Sequence, residues 1–386
     1  MRVTLVSNYI NHHQIPFCEA LMRQADTEVT FIQTMPMEEE RTAMGWGVDV
    51  KTLPYVKLFY EKESECRELI AESEVVIFGW TDRFDIEKER LESGKLTFRL
   101  SERIYREGQW KMISPRGLIR KYKEHFRYRK APVYLLCAGA YVASDFHLIR
   151  SYPDKMLRFG YFPPFLEYNE DAITRMKSSP DGTVRMLFAS RMLSLKRPDY
   201  AIRVLKSCLD AGFKTCLDMV GDGPLLEEMK ALASELQVTD AVTFHGMLPP
   251  KEVRDMMERA HIFLFPSNGL EGWGAVVNEA MNAACLVVAS NEAGAVPYLL
   301  REGRNGLIFH DGSFTDFAEQ VKYGMVHEDE RDAIGRAAYR TIAKHWNAEK
   351  AAENFLRFCN DYFAGKGSQF AAGGEPMSKA HVLRPE

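Results

Sequence analysis

Short apolar runs alternate along the chain with longer stretches in which apolar residues recur every three or four positions. In the first 150 residues, four runs are rich in β-branched or aromatic side chains, which is typical of buried parallel strands. These runs are residues 1–8, 28–34, 75–80 and 133–137. Between the first two, helical spacing relates Ile15, Cys18, Leu21, Met22 and Ala25. Strands that alternate with helices predict a doubly wound α/β domain.

The same alternation begins again after residue 183. Strands are predicted at 184–190, 215–220, 242–244, 262–265 and 286–289. Before them, prolines, serines and a glycine predict a linker. Two doubly wound domains follow, and ligands of such sheets bind beyond the carboxyl ends of the strands. The predicted organisation is an N-terminal domain at 1–165, a linker at 166–183, a C-terminal domain at 184–345, a late helix at 346–364 and a disordered tail at 365–386.

Composition narrows the class of protein. The 386 residues suit two domains, and 50 Lys and Arg against 54 Asp and Glu give a net charge of -4, which argues against a nucleic-acid binder. Seven cysteines without a C-x-x-C pair predict free thiols in a reducing compartment. The N-terminus turns polar after six residues, so no signal peptide is predicted and a cytoplasmic location is expected.

One segment departs from this acidic balance. Lys111–Lys130 holds eight Lys and Arg against one Glu, and one face of its predicted helix carries Leu118, Ile119, Tyr122 and Phe126. A basic amphipathic helix is typical of an anionic membrane surface. The alternative is a solvated helix whose apolar face packs on its own domain.

The richest chemistry lies in residues 268–280, which read NGLEGWGAVVNEA. Glu271 and Glu279 are separated by seven residues, and the glycines between them let the backbone approach a ligand closely. A helix that begins near Ala275 would offer its amides and dipole to a phosphate. If helical throughout, the eight positions span about 12 Å, so the two acids would bind the ends of one extended ligand. The alternative is a glycine turn before a buried helix with two incidental acids.

Two cations follow the first strand of the second domain. Arg191 and Lys196 lie on a strand-to-helix loop, where a guanidinium fork and a mobile ammonium suit a diphosphate. Ordinary loop cations remain the alternative. Asp-x-Asp, the usual carboxylate pair for a metal-bound nucleotide diphosphate, does not occur in the sequence.

The first domain offers a histidine in an equivalent place. His13 follows the first strand, where an imidazole would hold a phosphate or an acceptor hydroxyl, or would merely flank a helix cap.

Taken together, these residues resemble the donor-binding signature of glycosyltransferase family 4, which groups retaining glycosyltransferases of GT-B fold. The segments SRMLSLKRPD, GDGP, TFHG and AHIFLFP occur in the family's order, and the resemblance covers roughly 184–310. It implies two Rossmann-like domains facing a central cleft, with a C-terminal helix that crosses back to the first domain. The resemblance is weaker in the first domain. That domain lacks a Gly-Gly turn after strand one, and Trp80 and Asp82 stand where many members of the family carry a histidine.

The resemblance also implies roles. Glu271 would bind the sugar, and Arg191 and Lys196 would bind the diphosphate. His13, chosen from its position after strand one and not from the family pattern, completes the candidate catalytic set. Glu279 binds the ribose, and the backbone near Leu248 meets the base. The remaining donor-binding positions are the Gly-rich turn at Gly221 and Gly223 and the backbone of Gly272, Trp273, Gly274, Ala275 and Val276.

The implied activity moves a sugar from a nucleotide-sugar to a glycan or lipid-linked glycan acceptor, in polysaccharide or glycoconjugate biosynthesis. The expected transfer retains the anomeric configuration and needs no metal or other cofactor, since the nucleotide-sugar is the co-substrate. Two other classes remain open. One is a GT-B-fold epimerase or phosphorylase, and the other is a non-catalytic, membrane-docked partner that kept the fold.

Overall fold

The computed structural model describes residues 1–38, 47–367, 370–371 and 373–383. The chain divides into two compact units. Unit 1 comprises residues 1–164 and the C-terminal part from residue 346, and unit 2 comprises residues 165–345.

Over the residues just given, each unit is built on one parallel sheet, of seven strands in unit 1 and six in unit 2. The strands are β1 Arg2–Ser7, β2 Glu28–Gln33, β3 Val56–Leu58, β4 Val75–Phe78, β5 Thr97–Ser101, β6 Val133–Ala138, β7 Met156–Phe159, β8 Val184–Ala189, β9 Thr215–Val220, β10 Val242–Gly246, β11 Ile262–Phe265, β12 Leu286–Ser290 and β13 Leu307–Phe309.

Helices pack on the sheets, and the last of them belongs to unit 1. They are α1 Ile15–Arg23, α2 Glu63–Glu72, α3 Phe84–Glu92, α4 Pro115–Glu124, α5 Val142–Leu148, α6 Glu170–Met176, α7 Pro198–Asp210, α8 Leu226–Glu235, α9 Pro250–Arg259, α10 Ala275–Asn282, α11 Val296–Leu299, α12 Phe314–Val326, α13 Glu328–Lys344 and α14 Ala348–Phe363.

The strand order explains where each sheet can bind a ligand. Unit 1 has the order β3-β2-β1-β4-β5-β6-β7, and unit 2 has the order β10-β9-β8-β11-β12-β13. In both, the chain first builds outward on one side and then returns to build on the other. The reversal falls between β1 and β4 in unit 1 and between β8 and β11 in unit 2, and the crevice beyond the carboxyl ends of such strands is the binding place of doubly wound sheets. The predicted pair of Rossmann-like domains is therefore confirmed.

The late helix returns to unit 1. Asn347 caps α14 by accepting from the Lys350 backbone N–H. The ring of Phe355 on α14 lies 6.0 Å from that of Phe17 on α1 and 4.9 Å from that of Phe98 on β5. The predicted crossing back of this helix to the first domain is confirmed, and its cause is the burial of one aromatic face.

The stretch predicted as a linker, 166–183, belongs to unit 2. It contains α6, whose Ile173 packs against Ala284 and Tyr339. The ammonium of buried Lys177 donates to the carbonyls of Met257 and Ala260 at 2.9 and 2.6 Å. The turn signal Ser-Ser-Pro-Asp-Gly covers only the end of the stretch, so the prediction placed the boundary too late.

The tail predicted as disordered is ordered where the structure describes it. Backbone hydrogen bonds join β7 to this segment, from Arg158 N–H to the Ser378 carbonyl at 2.7 Å and from Ala380 N–H to the Met156 carbonyl at 2.9 Å. Met377 and Ala380 are buried. A strand at the edge of a sheet leaves main-chain groups unpaired, and this segment pairs them. Glycine- and serine-rich composition concealed the few apolar anchors that fix it.

The sequence also predicts free cysteines and no segment long enough to span a membrane. All seven cysteines are free, as predicted. Over the residues that the structure describes, no helix combines the length and apolar character that crossing a membrane requires.

Candidate functional site

Two loops of unit 2 meet beyond the carboxyl ends of β8 and β11. The backbone N–H of Asn268, in the loop after β11, donates to the carbonyl of Leu195, in the loop after β8, at 2.9 Å. Beside this contact, the ammonium of Lys196 forms an ion pair with the carboxylate of Glu271. Their side chains are only 16% and 12% exposed, so the two charges interact through a medium less polarisable than bulk water. The predicted phosphate cation and the predicted sugar acid are thus direct neighbours.

Arg191 opens the same loop and differs from Lys196. Its side chain is exposed, and it forms no ion pair with any residue in the described ranges. Arg197, a third cation that the sequence prediction passed over, forms an ion pair with Asp199 and lies 3.7 Å from the Tyr200 ring centroid. The Arg197 guanidinium therefore already has partners at the start of α7, whereas the exposed side chain of Arg191 can bind an anion.

The predicted Gly-rich turn lies against this loop. Gly221 has a φ of 123°, and a Cβ there would stand 2.0 Å from the carbonyl oxygen of Ser190. Gly223 has a φ of 150°, and its Cβ would stand 2.8 Å from the carbonyl oxygen of Met192. Both glycines are required by the close approach of two backbones, which gives them a clear structural role at the site.

The helix after Glu271 begins as predicted. Gly274 takes a left-handed conformation, with a φ of 92°, and α10 follows from Ala275. The first-turn amides of a helix have no acceptor within it, so Ala275 and Val276 present N–H groups and the positive end of the dipole. Because Glu271 lies four residues before this helix, the helical rise assumed over all eight positions was wrong.

The tryptophan of the motif serves as an anchor. The Trp273 side chain is buried, and its indole N–H donates to Asn278 Oδ1 on α10 at 3.0 Å. The Gly272 carbonyl oxygen lies so close to Gly294 that a Cβ on Gly294 would approach it to 1.8 Å. These contacts fix the backbone of the turn that leads into the helix.

Glu279 lies on the second turn of α10. It is partly buried, and burial raises the pKa of its carboxyl group, while the positive charge of Arg254 opposes that shift. Arg254, on α9, also donates to the main-chain carbonyl of Glu279 at 2.9 Å. The sequence prediction missed Arg254, because one arginine inside an amphipathic helix looks like any other solvated charge.

The region predicted to meet the base follows β10. Leu248 is partly buried in a short loop, and Gly221 N–H donates to the Gly246 carbonyl at 2.8 Å, which ties this loop to the glycine turn. Nearby, His245 Nε2 and Asp218 Oδ1 are 2.7 Å apart. This pair was also missed, since its members lie on different strands and share no sequence motif.

His13 lies in unit 1, just before α1. It lines a mostly apolar cavity at the carboxyl edge of the sheet, together with Ser7, Gln14, Gly79 and Tyr161. Burial, with a smaller contribution from His12, lowers the pKa of His13 to about 3. The imidazole is therefore neutral at physiological pH. A neutral imidazole can exchange hydrogen bonds with a phosphate or a hydroxyl group but brings no positive charge to either.

The predicted basic segment is exposed. No residue of α4 is buried, and the surface beside it carries apolar side chains that are 45–72% exposed: Trp110, Ile113, Leu118, Ile119 and Tyr122. The alternative, in which the apolar face packs on its own domain, is wrong for these residues. Phe126, the remaining member of the predicted face, is partly buried, and its ring stacks on that of Tyr122 at 5.4 Å.

A metal site would need several ligating side chains close together. Within the ranges that the structure describes, no group of three or more His, Cys, Asp or Glu side chains is placed to hold a metal ion.

The two Rossmann-like units place the fold in the GT-B class, and the comparisons agree. Residues 169–341 match the model of the family described as glycosyl transferases group 1. The matched residues make up nearly all of unit 2.

Among curated proteins, the chain is similar to a GDP-mannose-dependent alpha-(1-6)-phosphatidylinositol monomannoside mannosyltransferase of Mycobacterium tuberculosis. The two are 29% identical over 175 residues, which is 44% of this chain and 45% of the relative. The chain thus spans about half the length of the curated relatives it matches.

Solved structures are similar over nearly the whole chain. Anabaena Alr3699/HepE in complex with UDP matches with a TM-score of 0.66 at 12% identity, covering 95% of this chain and 99% of that one. The lipopolysaccharide outer core galactosyltransferase WaaB matches with a TM-score of 0.67 at 15% identity, covering 95% and 100%. At such low identity these matches establish the fold.

Proposed function

We propose that the protein is a retaining glycosyltransferase. It moves a sugar from a nucleotide-sugar donor to a glycan or lipid-linked glycan acceptor, in polysaccharide or glycoconjugate biosynthesis. The observation that carries the proposal is the contact between Lys196 and Glu271 beside the N-terminus of α10, at the point where the strand order of unit 2 reverses. The family of this domain and the UDP bound by a protein of similar fold support it.

In the proposed mechanism the donor diphosphate lies between Arg191, Lys196 and the first amides of α10. The diphosphate attracts the Lys196 ammonium, which then shares its hydrogen bonds between phosphate and Glu271. As the bond from the sugar to the phosphate breaks, these fixed donors stabilise the negative charge that develops on the leaving group. No metal is required in this scheme, because side-chain cations and the helix dipole supply the positive charge.

The carboxylate of Glu271 accepts hydrogen bonds from hydroxyl groups of the donor sugar, and that of Glu279 accepts them from the ribose hydroxyls. The acceptor hydroxyl attacks from the face that the phosphate leaves, so the departing phosphate takes its proton and no protein nucleophile is needed. The work of the protein is then positioning and charge stabilisation. His13, as a neutral imidazole in unit 1, is the candidate hydrogen-bond partner for the acceptor hydroxyl.

A nucleotide panel tests this function. Thermal melting with UDP, GDP and ADP should show one diphosphate that stabilises the protein, since a ligand at 100 times its Kd adds about 2.7 kcal/mol. Incubation of the matching nucleotide-sugars should then release that diphosphate, and NMR of the product should show a retained anomeric centre. An inverted product would contradict the mechanism, and a free epimer or sugar phosphate as product would favour the epimerase or phosphorylase class. Binding without turnover on any acceptor would favour the non-catalytic class.

Metal independence is checked in the same assay. Activity should persist in EDTA. Complete loss in EDTA that Mn²⁺ or Mg²⁺ restores would show that the diphosphate is held differently.

We also propose that Lys111–Lys130 docks the protein on an anionic membrane from the cytoplasmic side, where a lipid-linked acceptor would be found. The supporting observation is the exposed apolar row beside the basic residues of α4. Each cation near an anionic leaflet contributes about 1 kcal/mol, and salt screens the attraction. Vesicle flotation should therefore require anionic lipid and weaken in high salt. Ile119→Ser should weaken it further, whereas Val326→Ser, an equally exposed apolar residue of unit 2, should not.

A further inference from the structure

Arg254 is a buried cation beneath the helix that carries Glu279. It lies on α9 with 9% of its surface exposed, and its guanidinium donates to the Glu279 carbonyl at 2.9 Å and to Asn282 Oδ1 at 3.2 Å. Arg259 lies on the same helix but is exposed, and it donates to the carbonyl of Asp255 at 3.2 Å. The two arginines therefore differ in burial and in the helix they serve.

Asn282 extends this arrangement. Its side-chain oxygen accepts from the Leu166 backbone N–H at 2.9 Å, and its side-chain amide donates to the Leu166 carbonyl at 2.8 Å. Asn282 is the last residue of α10, so that end of the helix is fixed to residue 166 as well as to Arg254. A cation near the C-terminal carbonyls of a helix is also favoured by the helix dipole.

β12 and α13 also pack against α10, and we compare the side chains that they bring near Glu279 with Arg254. β12 carries no titratable side chain along Leu286–Ser290. On α13, Gly335 and Tyr339 lie against residue 284, and the Tyr339 hydroxyl accepts from the Tyr168 backbone N–H at 3.0 Å. Among the described residues, Arg254 is the charged group whose field opposes the burial of the Glu279 carboxyl.

We propose that Arg254 is a positioning residue for nucleotide binding: it holds the last turns of α10 in place and supplies the positive charge that faces the Glu279 carboxylate. The inference rests on the proposed role of Glu279 as the ribose ligand. An ionised carboxylate accepts hydrogen bonds from both ribose hydroxyls, whereas a protonated one loses part of that capacity. Burial raises the pKa of Glu279, so without Arg254 a larger share of the carboxyl groups would be protonated near neutral pH.

The test compares three arginine variants in the full-length protein. Arg254→Gln removes the charge and keeps a hydrogen-bond donor, Arg254→Lys keeps the charge, and Arg259→Gln is the matched control. Calorimetric titration with UDP and with GDP is carried out from pH 5.5 to 8.5, after melting curves have shown that each variant folds. Glu279→Gln alone, and combined with Arg254→Gln, removes the group whose ionisation is at issue and so isolates it from the titration of the phosphate.

We expect Arg254→Gln to weaken binding of the preferred nucleotide about fivefold or more at pH 6.5 and to approach the wild type at pH 8.5. Arg254→Lys and Arg259→Gln should stay within about twofold of the wild type. In the Glu279→Gln background, Arg254→Gln should add no further loss.

Four results would overturn the inference: an Arg254→Gln variant that binds like the wild type, a loss that is equal at every pH, a full additional loss in the double variant, or a Gln variant that does not fold. Each of the last three would mean that Arg254 acts through packing alone. If the wild type binds neither UDP nor GDP, the proposed donor site itself is wrong. If the wild type binds normally and Arg254→Gln does so too, only the role of Arg254 is wrong.

Discussion

The two sheets follow the same strand order over six strands, but the residues at their carboxyl edges differ in chemistry. At the edge in unit 2, the ion-paired Lys196 and Glu271 lie just before the N-terminus of α10, and the exposed Arg191 lies on the loop after β8. At the edge in unit 1, a mostly apolar cavity contains the neutral imidazole of His13, and Trp80, which follows β4, is 64% exposed. The same scaffold therefore offers one edge suited to a charged ligand and one suited to an uncharged one.

In such a sheet the strand order fixes where a ligand binds, while the loop residues decide which ligand it is. A diphosphate needs fixed donors, which unit 2 supplies. The apolar lining and the neutral imidazole of the unit 1 cavity would suit the uncharged acceptor that we propose. Four predictions test this contrast.

The largest effect is expected for Lys196→Met. Loss of this cation removes a donor to the leaving phosphate and leaves Glu271 in a poorly solvated place without its partner. Removal of one such donor typically lowers kcat by about 100- to 1,000-fold. Steady-state rates measure this, with Lys206→Met as the control, since Lys206 pairs with Asp210 on the outside of α7. Equal rates in the two variants would remove Lys196 from the site.

Glu271→Gln should separate the sugar from the nucleotide. The change frees Lys196 from its ion pair, so affinity for the nucleoside diphosphate should be unchanged or higher. Turnover should fall about tenfold or more, because a contact that positions the reacting sugar matters most in the transition state. Calorimetry and rates on the same sample measure both. A variant that loses the nucleotide while its turnover per bound donor is unchanged would reverse the assignment.

Gly221→Ala tests whether the unit 2 edge needs its close backbone approach. A Cβ would overlap the Ser190 carbonyl, whereas Gly212, which also has a positive φ of 85°, has open space around it. Both variants carry the conformational strain, but only the first carries the overlap. Urea unfolding should show Gly221→Ala less stable than Gly212→Ala by about 1–3 kcal/mol. Equal stabilities would mean that the two loops are not held together there.

The smallest effect concerns the neutrality of His13. Its pKa in the folded protein, about 3, lies below the ordinary value of 6.5, so the unfolded chain binds more protons between these values. The resulting stability is fully present above pH 6.5 and is lost as pH falls toward 3. His13→Gln should therefore lose less stability than the wild type between pH 7 and pH 4.5 in urea melts. The exposed His147→Gln should follow the wild type, and a His13→Gln curve that also does so would show that this imidazole is not neutral.

How much the sequence reveals depends on the range of the interaction. Period and turn signals are local, so the two α/β domains and the start of α10 were predictable. The resemblance placed Lys196 and Glu271 in one site, but their ion pair depends on two loops that lie 75 residues apart. The buried role of Arg254, the neutrality of His13 and the pairing of the tail with β7 depend on burial by distant residues, which no local pattern contains.

The most direct test of the central claim is a crystal structure of the protein with its preferred nucleoside diphosphate bound. We expect the diphosphate to lie beyond β8 and β11, within hydrogen-bond distance of Arg191, Lys196 and the first amides of α10, and the ribose to contact Glu279. A diphosphate bound at the edge of the unit 1 sheet, or away from these groups, would contradict it.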